Sequence, residues 1–426
     1  MAKRKRQTAM ELPLVAIDLG SSSVRAMAAS RIDHDMFHIL GVEQSNKFPA
    51  VEKGVVTQSS NAGFMIGEVL RLLANRLNVQ DLPTAFVLQG GRSMQIVQVF
   101  SKRDQIHKRE VSQSLLEAME EECKSKIEQR NPKVAVLGLI PAYYKLDGVE
   151  QEERPEPEQR ATLVEAHYIA FVGYKELASQ MQTSFDQAGK SIEKTFVRPE
   201  ALLSVFAVED GFNVLQDGCA VLDLGAQTTT LSIFKGTEYL FNKVVQQGGY
   251  HITRVLEQQG ISWAFAEKLK CEFGFASAAQ VKKNLKLKIP AIAERGGLWE
   301  VTSEDIAYII SFKLEEILKP LIEALHEYEE RISTLYITGG GSMLKGIQEY
   351  LQQKTNMKVL YGAHDKLLDI NTEEHYFEPR YSALVGALLL GSDYRDEHKD
   401  LLVKEPGLFE QLKNQTGRLF TEEQLS

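Results

Sequence analysis

Apolar and polar positions along this chain follow two periods, and the switches between them mark the predicted elements. Leu14 to Met27 reads LVAIDLGSSSVRAM: an apolar run, Asp18, Gly20, three serines, then a second apolar run. That is the pattern of two strands joined by a polar turn. Phe37 to Val42 predicts the strand that completes a first sheet. Asn61 to Leu77 switches to helical spacing, with apolar residues at Phe64, Ile66, Val69, Leu72, Leu73 and Leu77. Thr84 to Leu88 and Ile96 to Phe100 read as strands around Gly90-Gly91. Val111 to Gln129 reads as a charged helix, Lys133 to Ile140 as a strand, and Gly148 to Arg160 as an exposed loop or hairpin tip. Val164 to Gly173 predicts a further strand, and Glu176 to Ala188 a helix.

The second half repeats the opening pattern. Gly218 to Lys235 reads GCAVLDLGAQTTTLSIFK: an apolar strand ending on Asp223 and Gly225, a run of Thr228, Thr229 and Thr230, then another strand. The two segments share I/L-D-L-G followed by hydroxyls, about half the chain apart. Either one alone is an ordinary β-hairpin with a polar turn. As a pair they predict two similar halves facing one phosphate chain, because backbone N–H groups and hydroxyls at such turns hold phosphate oxygens. A carboxylate at each strand end is suited to a metal held through water. A third piece, LYITGGGSMLKGIQEYL from Leu335 to Leu351, places Gly339, Gly340 and Gly341 between a short strand and a helix. Side chains are absent there, where a ligand would meet backbone.

Other segments fill in the second half. Gln247 to Gln258 predicts a helix opening behind Gly248-Gly249. Ala264 to Cys271 is helical, with Glu267 and Lys270 three apart on one face, the spacing of a surface ion pair. Glu294 to Glu300 is an exposed loop. The helix from Ser303 buries Ile306, Ile310, Leu314, Ile317, Leu321 and Leu325, with a kink at Pro320. Lys358 to Tyr361 is a short strand. Tyr381 to Gly391 is an apolar helix too short to span a bilayer.

Composition narrows the class. A chain of 426 residues is long enough for two domains or more, and its net charge of -9 argues against nucleic-acid binding. Cys123, Cys219 and Cys271 are too widely spaced for a disulfide framework or a zinc pattern, and are expected to be reduced core residues. No apolar run reaches the length of a membrane span, and no charged-then-apolar leader is present. The basic cluster Lys3 to Arg6 is either a solvated tail or a weak attraction to anionic lipid. Beyond Pro406-Gly407, Leu408, Phe409, Leu412, Leu419 and Phe420 share one helical face, suited to a membrane interface or to docking on the protein itself.

The order of the two hydroxyl turns and the glycine loop resembles the actin, DnaK-chaperone and sugar-kinase ATPase superfamily. Within it the chain most resembles FtsA, the bacterial actin homologue that tethers the division ring to the membrane. Further FtsA-like pieces are VEKGVV at Val51 to Val56, QGGYHIT at Gln247 to Thr253 and AEKLKCEFG at Ala266 to Gly274. The resemblance covers essentially Pro13 to Phe420. It implies an α/β, two-lobed, actin-like ATPase fold with an FtsA-type α/β subdomain inserted in the first lobe. Lobe 1 is expected at residues 11–83 and 165–200, with 376–392 returning to it, and the insertion at 84–164. The core of lobe 2 is expected at 201–252 and 330–375, its small subdomain at 253–329, and a linker with the amphipathic helix at 393–426.

The resemblance also implies ATP and Mg²⁺. Phosphates would lie on Gly20, Ser21, Ser22 and Ser23 and on Gly225, Thr228 and Thr229, with Gly248 and Gly249 near the γ-phosphate. Mg²⁺ would sit near Asp18 and Asp223 through water. Ribose and adenine would meet Glu267, Lys270, Gly340 and Gly341, with Gly339 and Met343 in the same loop. Many relatives carry Glu-Pro where this chain has Arg198 and Pro199, followed by Glu200. FtsA commonly has D-x-G-G-G-T-T-D where this chain has Asp223, Gly225, Ala226, Gln227, Thr228, Thr229 and Thr230. No catalytic residue is assigned, and hydrolysis is expected to be slow or absent. The implied partners are the FtsZ C-terminal tail, like subunits in head-to-tail filaments, later division proteins and the cytoplasmic face of the membrane. The alternatives are a pilus-assembly protein of the PilM kind, which shares the architecture, and a small-molecule kinase of the same superfamily.

Overall fold

The computed structural model describes residues 13–398, apart from 93, 152–153, 157, 211–215, 237 and 291–297. Strand β1 (Leu14–Leu19) sends Leu14 and Ala16 into one core and Val15, Ile17 and Leu19 into another. That is the two-residue alternation of a strand buried on both faces. β2 (Val24–Asp33) returns antiparallel, and β3 (Met36–Ser45) pairs with β2. β4 (Val51–Glu52) and β5 (Val55–Val56) form a small hairpin with Lys53 and Gly54 in its turn. α1 (Ser59–Leu77) lays Ile66, Val69, Leu70 and Leu73 on one face of the sheet. Phe64 points away from that face and meets Phe48 edge-on, ring centroids 5.4 Å apart. β6 (Thr84–Gln89) pairs parallel with β1.

A separate antiparallel sheet follows, built from β7 (Gln95–Glu110), β8 (Val134–Leu146), β9 (Val149–Gln151) and β10 (Arg160–Tyr174), in the order β7-β10-β8-β9. α2 (Gln113–Arg130) covers it, with Leu116, Met119 and Cys123 against Tyr144, Val164 and Tyr168. The boundaries expected for this insertion, 84–164, need correction at both ends. β6 belongs to the first sheet, and β10 continues in the inserted sheet to Tyr174. Gly90 and Gly91 therefore lie between two sheets, not within a hairpin.

α3 (Lys175–Gln187) rejoins α1, placing Met181 and Phe185 in the same core. β11 (Ser191–Val197) adds to the edge of the first sheet, whose order is β11-β6-β1-β2-β3. α4 (Arg198–Asp210) follows directly.

The second sheet repeats this topology. β12 (Cys219–Leu224), β13 (Thr229–Lys235) and β14 (Glu238–Val245) are successive antiparallel strands. α5 (Gly249–Glu257), α6 (Trp263–Phe273) and the hairpin of β15 (Lys286–Pro290) and β16 (Leu298–Thr302) come next. α7 (Ser303–Glu327) buries Ile306, Ile310, Leu314, Ile317, Leu321 and Leu325, and continues through Pro320. Its start carries a capping box, Thr302 bonded to Asp305 in both directions. β17 (Thr334–Thr338) pairs parallel with β12. α8 (Ile347–Thr355) and β18 (Lys358–Tyr361) complete a sheet of order β14-β13-β12-β17-β18. Strand for strand this matches β3-β2-β1-β6-β11.

α9 (Ser382–Glu397) closes the fold. With α4 it forms the layer between the two sheets: Ala201, Val205 and Phe206 contact a core that contains Met27 and Phe86 of the first sheet and Val221 and Tyr336 of the second. One continuous core therefore joins the lobes and fixes how the ends of β1 and β12 face each other.

Candidate functional site

The two hydroxyl turns fold alike. Gly20 N donates to Ser23 O at 3.1 Å, and Gly225 N donates to Thr228 O at 2.9 Å. In each copy the aspartate sits at the strand end, Asp18 opposite Arg25 and Asp223 opposite Thr230. Each turn is held by a different neighbour. Gly54 N, in the β4–β5 hairpin, donates to Ser21 Oγ at 3.0 Å. On the other side Gly249 N donates to Gly225 O at 3.0 Å and Tyr250 N to Ala226 O at 2.7 Å, tying the second turn to the start of α5. The lobes also meet here directly: Lys53 N donates to Gln227 Oε1 at 2.9 Å.

The glycine loop lies beside the second turn because β17 runs parallel to β12, with Thr338 paired to Asp223. Gly339 has φ +80° and ψ 171°, a region that side chains essentially exclude. A Cβ there would stand 2.4 Å from Asp223 Oδ1 and 2.7 Å from Leu224 O. Gly340 differs: a Cβ at that position meets nothing within 4 Å and would project into open space.

That space is a cleft of about 940 Å³ between the lobes. It is lined by every residue expected at the cofactor site: Asp18, Gly20 and Ser21 to Ser23 from lobe 1, then Asp223, Gly225, Thr228, Thr229, Gly248, Gly249, Glu267, Lys270, Gly339 to Gly341 and Met343. Ser23 Oγ is buried without a hydrogen-bond partner, an orphan polar atom at the first turn. Thr229 is the exception among the hydroxyls. Its side chain is fully buried and its Oγ1 donates to Gln247 O at 2.9 Å, so it supports the approach to α5 and is not offered to a ligand.

Glu267 and Lys270 do pair, at 2.8 Å, but not as a simple surface ion pair. Lys270 Nζ also donates to Gly249 O at 3.1 Å and Thr253 Oγ1 at 2.9 Å, so α6 is bolted to the start of α5. Burial works to raise the Glu267 carboxyl, but the Lys270 charge together with hydrogen bonds from Lys270, Thr253 and Cys271 outweighs it, holding the group below the usual range.

Three features escape the sequence pattern. Tyr250 and Trp263 both line the cleft with ring centroids 4.5 Å apart, an aromatic wall whose only sequence signal is their place at the starts of α5 and α6. Cys271, expected in the core, is exposed and lines the cleft. The third is Arg198. From the first turn of α4 its Nη2 donates to Asp18 Oδ1, while its Nε stands 3.6 Å from Asp223 Oδ2. Burial works to lower the guanidinium pKa, but the charges of Asp18 and Asp223 outweigh it and raise the value. Burial pushes Asp223 upward, opposed by Arg198 and reinforced by Asp18. Magnesium held by Asp18 and Asp223 does not fit this arrangement, because a guanidinium stands against one oxygen of each carboxylate and supplies the positive charge between them. Glu200 is not among the residues lining the cleft, and burial pushes its carboxyl up to about 7, against the pull of Lys194.

Residues 220–386 match the family model described as cell division protein FtsA. The chain is 24% identical over 361 residues to the cell division protein FtsA of Enterococcus faecalis, spanning 82% of this chain and 79% of that one. It is 22% identical over 380 residues to FtsA of Neisseria meningitidis serogroup B, spanning 87% and 88%. Among solved structures, the fold is similar to a PilM–PilN type IV pilus biogenesis complex, with TM-score 0.65 and 15% identity over 89% of this chain and 99% of that one. It is also similar to MreB5 of Spiroplasma citri bound to ADP, with TM-score 0.54 and 10% identity over 91% and 99%. In sequence the chain resembles the cell-division protein FtsA, and its fold is the two-lobed, actin-like ATPase fold with an α/β subdomain inserted in the first lobe.

Proposed function

We propose that this chain is an adenine-nucleotide-binding, actin-like cell-division protein that links FtsZ filaments to the cytoplasmic face of the membrane. The observation that carries the reading is the convergence of two equivalent hydroxyl turns and a glycine loop on one interlobe cleft. Its size, the orphan Ser23 hydroxyl and the open face at Gly340 all suit a nucleotide. Phosphate oxygens would meet the backbone N–H groups and hydroxyls of the turns at Gly20 to Ser23 and Gly225 to Thr228, and adenosine would lie over Gly340 and Gly341 near Tyr250 and Trp263. The ADP bound to the similar MreB5 structure is in keeping with this.

In this reading hydrolysis is slow or absent. Arg198 stands where superfamily relatives carry a carboxylate, and Glu200, two residues further on, is not among the residues lining the cleft. A turnover rate above about 1 s⁻¹, the low end for ordinary enzymes, would reopen the small-molecule kinase alternative.

Assembly and partners extend the same reading. Like subunits would associate head to tail, a heterologous contact that propagates into open filaments. The FtsZ tail would bind the small subdomain of the second lobe, residues 253–329, and later division proteins would join the assembled filament. No helix among the described residues is long and apolar enough to cross a membrane. Membrane attachment is assigned to Leu408, Phe409, Leu412, Leu419 and Phe420, which lie outside the described residues, as does the basic cluster Lys3 to Arg6. Linked tails on a filament act multivalently, so polymerised protein would sediment with liposomes more strongly than monomer. A pull-down of the full chain on an immobilised FtsZ C-terminal tail peptide tests the reading. Retention supports it. Absence of retention favours the second reading, a pilus-assembly component, which rests on the likeness to the PilM–PilN complex.

A further inference from the structure

Two carboxylates at the ends of equivalent strands invite a divalent cation, yet an arginine has taken the place between them. Arg198 Nη2 donates to Asp18 Oδ1 and Arg198 Nε stands 3.6 Å from Asp223 Oδ2. Asp18 comes from the first sheet and Asp223 from the second, so the contact forms only because the shared core brings the two strand ends face to face. All three side chains line the cleft. A guanidinium carries five N–H donors and stays charged at any working pH. With two of its nitrogens turned to the aspartates, further N–H donors remain for an anion in the cleft. Magnesium, by contrast, needs a near-octahedral shell of oxygens and gives up its waters reluctantly. Bound directly it would have to displace the guanidinium from Asp18 Oδ1 and Asp223 Oδ2, and held through its waters it would still sit against a like charge.

We propose that Arg198 is the resident cation of this site: it neutralises the Asp18–Asp223 pair and presents N–H donors to phosphate oxygens, so nucleotide binds without a divalent metal. This rests on the reading of the cleft as a nucleotide site. Arg198 acts as a binding residue, and the lobes gain an ion-pair latch from the same contact.

The test is a fluorescence titration of the full chain with ribose-labelled ADP, once in magnesium and once in EDTA. Dissociation constants within about threefold of each other support the proposal. Binding that tightens about tenfold or more in magnesium overturns it, and leaves the cleft assignment standing. Binding in neither condition removes the cleft assignment, and the proposal with it.

A second arm uses Arg198→Ala. Its labelled-ADP affinity in EDTA is expected to fall about tenfold or more and to return with magnesium. Mn²⁺ titrated into this variant without nucleotide should lose its free-ion resonance signal, whereas the unaltered chain leaves the signal intact. A residue that only latches the lobes would lower the melting temperature without creating either metal effect, and that result overturns the proposal. Arg198→Lys keeps a positive charge and is expected to bind labelled ADP in EDTA within about tenfold of the unaltered chain, so the proposal stays testable if the alanine variant fails to fold.

Discussion

The two hydroxyl turns share one backbone plan but sit in different surroundings. The first, at Gly20 to Ser23, rests on a small hairpin through Gly54 and Ser21, with Ser22 exposed. The second, at Gly225 to Thr228, is wedged between the start of α5 and the glycine loop, so close that a Cβ on Gly248 would stand 2.3 Å from Gly225 O. The duplication therefore supplies two phosphate-type turns, and the neighbours divide the labour: one side is open, the other is packed to fixed geometry. Among the described residues, Arg198 is the only side chain whose ion pairs reach the aspartates of both.

Substitutions that tax the crowded side should cost most. Gly339→Ala forces a side chain into a conformation reserved for glycine and against Asp223 and Leu224, and is expected to destabilise by roughly 2–5 kcal/mol in urea unfolding. A loss below about 1 kcal/mol would mean the loop can move away, and the comparison would lose its basis.

Removing the bridge comes next. Arg198→Ala leaves two largely buried carboxylates facing each other without a counter-charge, for an expected loss of about 2–4 kcal/mol at neutral pH. Asp18→Asn in the same background should recover part of it, since one of the two like charges is gone. Failure to recover any stability would show that packing, not charge, holds the lobes.

Glu200 gives a smaller, pH-dependent effect on α4, the helix that carries Arg198. Its carboxyl is raised from the ordinary 4.5 to about 7 by burial. The folded chain thus holds this proton more tightly than the unfolded chain. Its contribution is fully present below about pH 4.5 and is lost as pH rises through about 7. Glu200→Gln is expected to stabilise by about 1–3 kcal/mol at pH 8 and by nearly nothing at pH 4.5. Equal melting shifts at both pH values would contradict the assignment.

The smallest effect belongs to the open turn. Gly20→Ala places a Cβ 3.0 Å from Ser23 O with no positive φ to satisfy, so its expected cost is about 1 kcal/mol or less. A loss as large as that of Gly339→Ala would erase the distinction between the two turns.

Much of this site could be read from the sequence because its parts are local. A strand, an aspartate, a glycine and hydroxyls lie within a few residues, and the glycine loop follows one short strand. The lobes were legible for the same reason, as two strand-turn-strand units with matching signs. What could not be read is contact between distant segments. Arg198 could be seen as an unusual residue before Pro199, but its reach to Asp18 and Asp223 depends on how two sheets share α4 and α9. Thr229 looked like its neighbour Thr228, yet the β13 alternation turns it into the core. The strand expected at Ile96 to Phe100 continues as β7 to Glu110, because its far half is polar and carries no apolar alternation. As an edge strand with one partner, β7 exposes residues such as Lys108 and Arg109 that read as loop.

The central claim is that the cleft takes an adenine nucleotide over its open glycine. Gly340 has room for a side chain and no positive φ, so Gly340→Glu should leave the melting temperature unchanged while filling the adenosine position with a charged group. Calorimetric titration of ADP and ATP into the full chain and this variant is the direct measurement. The account predicts saturable binding to the unaltered chain and none to Gly340→Glu. No binding to the unaltered chain, or equal binding to both, would contradict it.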